Sequence, residues 1–243
     1  MSILLERRQD GVAIVRLDRP ECRNALDSAT LATFVATLRE LSGDGELRAL
    51  VLSTTNPRAF CAGADTGEVL DREGGLARMR GFGDLYTALA AVPVPSVCVC
   101  VGNTLGAGAE LAAGCDLRVG GENLLLGWVG AKLGVPVGPA RLVGLVGLAR
   151  AKELIFTGRR LDADAAQHLG LLTRRAPEAE AEAVAIELGA LIASLPSDGV
   201  RRLKGLFSTL ETEPERVARE NAVLEDWQAT GAGLPAAPTG SSA

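Results

Sequence analysis

The sequence predicts an α/β fold with a helical C-terminal portion. Three observations carry that expectation. Short β-branched and apolar runs, each followed by a helical pattern, fill the first part of the chain, and after about residue 138 the periodicity is helical throughout. Nearly half of the 243 residues are apolar (47%), yet only 3% are aromatic, so the core is built from small aliphatic layers. The length suits one large domain, or one with a small appendage.

Taken in order, ILLERRQ and VAIVRL flank Asp10-Gly11, a hairpin signal. Ser28 stands where it can cap a helix whose Leu31, Phe34, Val35, Leu38 and Leu41 share one face. RALVLST reads as a buried strand, AFCAGAD follows at 59–65, and a charged helical segment carries Leu85 and Leu89. SVCVCV is the next strand, with Cys98 and Cys100 on one side. A helix from about Ala107 to Ala113 and two short strands, CDLRVGG and NLLLG, complete this part. Helical patterns then run through LVGLVGLARAKELIF, DADAAQHLGLL, EAEAEAVAIELGALIASL, SDGVRRLKGLFSTL and ERVARENAVLEDWQ. The boundaries expected are a core over 1–195, a helical oligomerisation region over 196–230 and a flexible Gly/Pro/Ala/Ser-rich tail over 231–243.

Several function classes are disfavoured. A net charge of −5 without a basic stripe argues against nucleic acid. The N-terminus turns charged after five residues, unlike a signal peptide, and AAVPVPSVCVCVG is broken by two prolines and too short to span a bilayer. A cytoplasmic protein with no membrane partner is the expectation. Five cysteines without a secretory signal read as small buried hydrophobes rather than a disulfide framework or a metal site. The single histidine, His168, lies in a helical context with no GxSxG motif, which disfavours a Ser-His or Cys-His site.

Two segments share one layout of strand, small-residue turn and helix: VLSTTNPRAFCAGAD and SVCVCVGNTLGAGAEL. The first N–H groups of a helix have no partner inside it and carry the positive end of its dipole. Two of them aimed at one point stabilise negative charge on a carbonyl oxygen, and small residues let a thin acyl group approach. Tight helix–strand packing also requires Gly and Ala, so either segment alone is a weak signal. Glu110 follows the second turn directly, placed as a general acid or base if burial raises its pKa.

Together with RPECRNALD and ELIFTGRRLDADAAQHLGLL, these segments make the chain resemble the enoyl-CoA hydratase/isomerase (crotonase) family over roughly residues 3–210. The resemblance implies a spiral of ββα units and an acyl-CoA thioester as substrate, with coenzyme A part of the substrate and no separate cofactor or metal. It places the oxyanion donors at the N–H groups of Ala64 and Ala107, and Glu110 as the acid–base group. Cys22, Arg23, Ala25, Ala62, Asp65 and Thr66 fall at the CoA contacts, with Gly106 and Gly130 also among the substrate-binding residues; solvated or capping roles for Arg23 and Asp65 stay open. A homotrimer or dimer of trimers is implied as well.

One departure bears on the chemistry. Hydratases of the family commonly use two glutamates, and the place of the second falls here at Gly130, with no Asp or Glu between Asn123 and Ala151. LGVPVGPARL is shorter than the usual glycine-rich loop and resembles the LGVP stretch of acyl-CoA decarboxylases. Yet Ala64 and Val137 stand where some of those carry histidine and tyrosine. The reading expected is therefore an acyl-CoA enzyme with one evident acid–base group, with a decarboxylase-like enzyme or a non-catalytic acyl-CoA-binding protein as alternatives.

Overall fold

The computed structural model describes residues 2–231, 233 and 234. Its main sheet has six strands in the order β1-β2-β3-β4-β6-β8: β1 Ile3–Arg7, β2 Val12–Leu17, β3 Ala49–Thr54, β4 Ser96–Cys100, β6 Leu117–Gly121 and β8 Arg174–Ala176. β1 and β2 form the expected antiparallel hairpin, and every later pairing is parallel. A second layer holds β5 Asn103–Leu105 paired with β7 Leu125–Gly127, extended by single bridges from Cys61 to Thr104 and from Leu126 to Leu161.

Those bridges show the repeat. The chain three times runs a sheet strand, then a short second-layer segment, then a helix. The successive helices are α2 Arg72–Ala90, α3 Ala107–Gly114 and α4 Pro139–Thr157. This is the spiral of ββα units. α1 Ser28–Ser42 precedes it, and α5 Ala163–His168, α6 Ala181–Ala193, α7 Ser197–Glu211 and α8 Glu213–Thr230 follow.

Strand β4 illustrates how the layers form. All five of its residues are buried. Cys98 and Cys100 face the large core beneath α1–α4, while Val97 and Val99 face the smaller core under α6. Continuous burial on both faces is what a central parallel strand requires. The Cys98 thiol is held well above its ordinary range by burial and by contact with Cys100 and Cys115, as inert core cysteines are.

Local readings needed three corrections. The cap of α1 is Asp27, whose side chain accepts from Thr30 N at 2.8 Å; Ser28 is the first helical residue. Asp and Ser are nearly equal caps, and the carboxylate also pairs with Arg19 at 2.9 Å. LVGLVGLARAKELIF is not one unbroken helix, because Gly147 takes φ 74 and ψ 165 and splits α4. Strand β8 carries no apolar alternation, since two of its three residues are exposed arginines. His168 ends α5 in an exposed position.

Helix α8 folds back onto α2 and α4. It buries Val217, Glu220 and Leu224, a one-sided stripe with a carboxylate in it. The expected tail lies outside the described residues apart from Gly231, Gly233 and Leu234. Among the described residues no single helix is long and apolar enough to cross a membrane.

Candidate active site

A cavity of about 470 Å³ opens where the two small-residue turns meet. Its lining includes Cys22, Arg23, Ala25, Ala62, Ala64, Asp65, Thr66, Gly106, Ala107 and Gly130. The structure thus gathers ten of the eleven expected site residues around one space. Met79, Phe82 and Tyr86 of α2, Val135 and Val137 of the short loop, and Leu224 of α8 make much of the apolar wall.

Backbone packing explains the composition of the turns. Gly63 takes φ 112 and Gly106 φ 53. A Cβ on Gly63 would lie 3.3 Å from Leu105 O and 3.8 Å from Ala107 N, so the turns touch backbone to backbone. One residue past the second turn, a Cβ on Gly108 would meet Cys61 O at 2.2 Å. Small residues are here a steric requirement. Among the described residues, neither Ala64 N–H nor Ala107 N–H has an acceptor. Two free donors therefore sit on adjoining turns that both line the cavity.

The third wall is the turn at 20–26. Arg23 and Asn24 are consecutively left-handed, φ 52 and 55. Asn24 holds that conformation from beneath. Its amide donates to Thr54 Oγ1 (2.6 Å), Ala59 O (3.0 Å) and Phe60 O (3.1 Å), and its carbonyl accepts from Arg19 N (2.7 Å). The turn is laced to the first small-residue segment by Ala62 N to Arg23 O, Leu26 N to Gly63 O and Asp65 N to Leu26 O. Asp65 has structural duties, since it pairs with Arg19 at 3.1 Å and accepts from Gly67 N at 3.0 Å.

Glu110 is the exception. It lies one turn along α3 from Ala107, is fully buried and is not among the residues lining the cavity. Its Oε2 accepts from Arg141 Nη1 at 2.7 Å, while Oε1 has no partner among the described residues. The same Nη1 reaches Glu220 Oε1 at 3.1 Å. Glu220 Oε2 in turn accepts from Gly138 N (3.1 Å) and Ala140 N (2.8 Å) at the start of α4. The Arg141 guanidinium stacks 4.2 Å from the centre of the Tyr86 ring, a favourable cation–π arrangement. Burial first, then the charge of Glu220, push the Glu110 carboxyl up to about 7, against the opposing pull of Arg141 and Trp128. The Trp128 indole is buried and faces this carboxylate, short of a well-formed hydrogen bond. Trp128 lines no part of the cavity.

Arg141, Glu220, Asn24 and Tyr86 were not anticipated from the sequence. A signal existed for two of them. Arg141 interrupts the apolar start of α4, and Glu220 occupies the apolar stripe between Val217 and Leu224. Charges at core positions are seldom idle.

The ββα spiral thus brings two adjoining turns, each with an acceptor-free N–H group, to the lining of one cavity. Comparison with known proteins supplies the class. The enoyl-CoA hydratase/isomerase family model matches residues 7–231, and the chain belongs to that family. It is 38% identical over 178 residues to the bovine (Bos taurus) mitochondrial enoyl-CoA hydratase domain-containing protein 2, a match covering 70% of this chain and 59% of that protein. The chain thus spans less than two thirds of that relative's length. With the probable enoyl-CoA hydratase echA8 of Mycobacterium bovis it shares 36% identity over 211 residues, 83% of this chain and 81% of that one. The crystal structure of an enoyl-CoA hydratase/isomerase from Xanthobacter autotrophicus Py2 superposes with a TM-score of 0.85 at 25% identity, covering 97% and 89% of the two chains.

Proposed function

We propose that this chain is an acyl-CoA enzyme that stabilises a thioester enolate. The thioester carbonyl oxygen accepts from Ala64 N–H and Ala107 N–H, and Glu110 exchanges a proton with the substrate. The observation that carries this reading is the pair of acceptor-free N–H groups on touching turns of one cavity, a helical turn away from a buried carboxyl titrating near neutral pH. Donors so preorganised supply on the order of 3 kcal/mol each to a developing oxyanion. Cys22, Arg23, Ala25, Ala62, Asp65 and Thr66 surround the CoA part. Coenzyme A enters as part of the substrate, and the chemistry calls for no metal or separate cofactor.

Gly130 sets the reaction. Addition of water across a double bond is fastest when two carboxylates hold the water, and this cavity has none at position 130. The protein is thus a slow hydratase and a better catalyst of single-base steps, such as exchange of the α-proton. The test is deuterium incorporation from heavy water into butyryl-CoA, measured beside hydration of crotonyl-CoA. Tight CoA-ester binding in a calorimeter with neither reaction would instead support a binding protein.

Restoring a carboxylate extends the test. A Cβ at position 130 lies 3.0 Å from the backbone Val135 O and 3.1 Å from Val137 Cγ1, so the loop has to give by a few tenths of an ångström. Gly130→Glu is expected to lose about 1–3 kcal/mol of stability and to raise crotonyl-CoA hydration. A variant that folds, binds substrate and gains no hydration counts against the role given to this position.

The assembly proposed is a trimer or a dimer of trimers. Leu203, Leu206, Phe207 and Leu210 form one exposed stripe on α7 at helical spacing, an apolar face that calls for a partner. Sedimentation should show an assembly that Phe207→Asp weakens; a monomer at micromolar concentration contradicts it.

A further inference from the structure

The buried cluster behind the cavity holds two carboxylates and one guanidinium. Each comes from a different helix: Glu110 from α3, Arg141 from α4 and Glu220 from α8. Arg141 Nη1 is shared between Glu110 Oε2 and Glu220 Oε1. Its plane is fixed by the Tyr86 ring on one side, and its Nη2 has no partner among the described residues. Glu220 is anchored separately by the two backbone N–H groups at the start of α4.

Donor numbers make the two carboxylates unequal. Three N–H groups face Glu220, whereas among the described residues only Arg141 Nη1 makes a formed hydrogen bond to Glu110. Two negative charges against one positive charge, out of water, leave an excess that one proton relieves. That proton belongs on the carboxylate with fewer donors, Glu110. Because Oε2 is occupied, the atom left to take it is Oε1, which has no partner among the described residues.

We infer that Arg141 and Glu220 are positioning residues for the acid–base group: Arg141 ties down Glu110 Oε2, Glu220 ties down Arg141, and Oε1 is thereby left as the single oxygen that takes up and releases the proton. The inference rests on the proposed role of Glu110. The family's second carboxylate is missing at position 130, while here another carboxylate reaches the same acid–base group from the last helix, through an arginine rather than through a shared water.

The groups facing Glu110 act with opposite signs. Glu220 on α8 favours its protonated form, whereas Arg141 on α4 and the Trp128 indole after β7 favour its ionised form. The Tyr86 hydroxyl on α2 is held well above its ordinary range by burial and by the charge of Glu110, and stays neutral. If Glu110 is the base, exchange activity falls as pH drops through the Glu110 pKa.

The test is the pH profile of butyryl-CoA α-proton exchange, run beside carbon-13 NMR titration of labelled glutamate carboxyls, which needs no turnover. In Glu220→Gln the midpoint of the acid limb, and of the Glu110 resonance, should move down from near 7 towards the ordinary carboxylate range. In Arg141→Met both should move up. Arg141→Lys, which keeps the charge but not the fork, should restore the midpoint more fully than the rate. If Arg141→Met does not fold, Glu220→Gln and Arg141→Lys still decide the matter. Folded variants whose rates fall while midpoints stay in place overturn the inference and leave a merely structural cluster. Full exchange activity in Glu110→Gln overturns instead the reading of the site beneath it.

Discussion

Glu110→Gln is expected to lose about 10²–10⁴-fold in α-proton exchange and, at the same time, to fold more stably above neutral pH. The two effects share one cause. The Glu110 carboxyl titrates at about 7 in the folded protein against an ordinary value of 4.5, so between those values the folded chain keeps a proton that the unfolded chain has released. A raised carboxyl of this kind adds stability that is full below 4.5 and is lost as pH rises through 7. Glutamine stays neutral throughout, and it can still accept from Arg141 while Glu220 balances the guanidinium. The stability difference should therefore grow from about pH 5 to about pH 7 and then level off, on the order of 3 kcal/mol at most. Urea titrations at several pH values measure it. A variant less stable than the wild type at about pH 8 shows that the ionised Glu110–Arg141 pair outweighs its desolvation.

Gly108→Ala should be among the more damaging single-methyl changes next to the small-residue turns. The added carbon meets Cys61 O at 2.2 Å and Cys61 Cβ at 2.9 Å, both rigid parts of the neighbouring segment. Helix α3 has to move away, and Ala107 N–H moves with it relative to Ala64 N–H. The expected cost is about 1–3 kcal/mol or more of stability, together with about 10²–10³-fold in turnover from the misplaced donor. Gly205→Ala supplies the control, because it lies in α7 away from the Leu203–Leu210 stripe, with nothing within 4 Å of the added carbon among the described residues, and should be slightly stabilising. Thermal melts and exchange rates on the two variants separate methyl addition as such from methyl addition at the crossing of the turns. Unchanged turnover in Gly108→Ala counts against Ala107 as a donor.

The parts of the molecule legible in its sequence were those encoded locally. The Asp10-Gly11 hairpin, the alternation of Cys98 and Cys100 against Val97 and Val99, and the helix opening at Ala107 each follow from a few adjacent residues. The two small-residue turns were legible for the same reason, since close backbone approach leaves Gly and Ala as its trace. What escaped depends on distant partners. Strand β8 joins the sheet through backbone pairing with β6, and its arginines give no apolar pattern. Asn24 reads as an ordinary turn residue until its four bonds to other segments are seen. Arg141 and Glu220 each break an apolar pattern, but nothing in either helix says that the two charges meet. Glu110 itself was legible as a carboxylate near the turns, while its place behind the cavity wall required the packing of α2, α4 and α8.

Helix α8 gives the molecule an order of completion. Half the chain separates Glu110 from Glu220, and the cradle at Ala64 and Ala107 is built wholly from residues that leave the ribosome earlier. During synthesis both small-residue turns therefore emerge before the residues that complete the Glu110–Arg141–Glu220 cluster. Until the last helix docks, Arg141 has one carboxylate to serve instead of two, and the wall contributed by Leu224 is open to water. If Glu110 is the acid–base group, as proposed, catalytic competence is then a late event in the life of the chain. On that reading turnover reports the docking of α8, which the spiral of strands and helices before it does not.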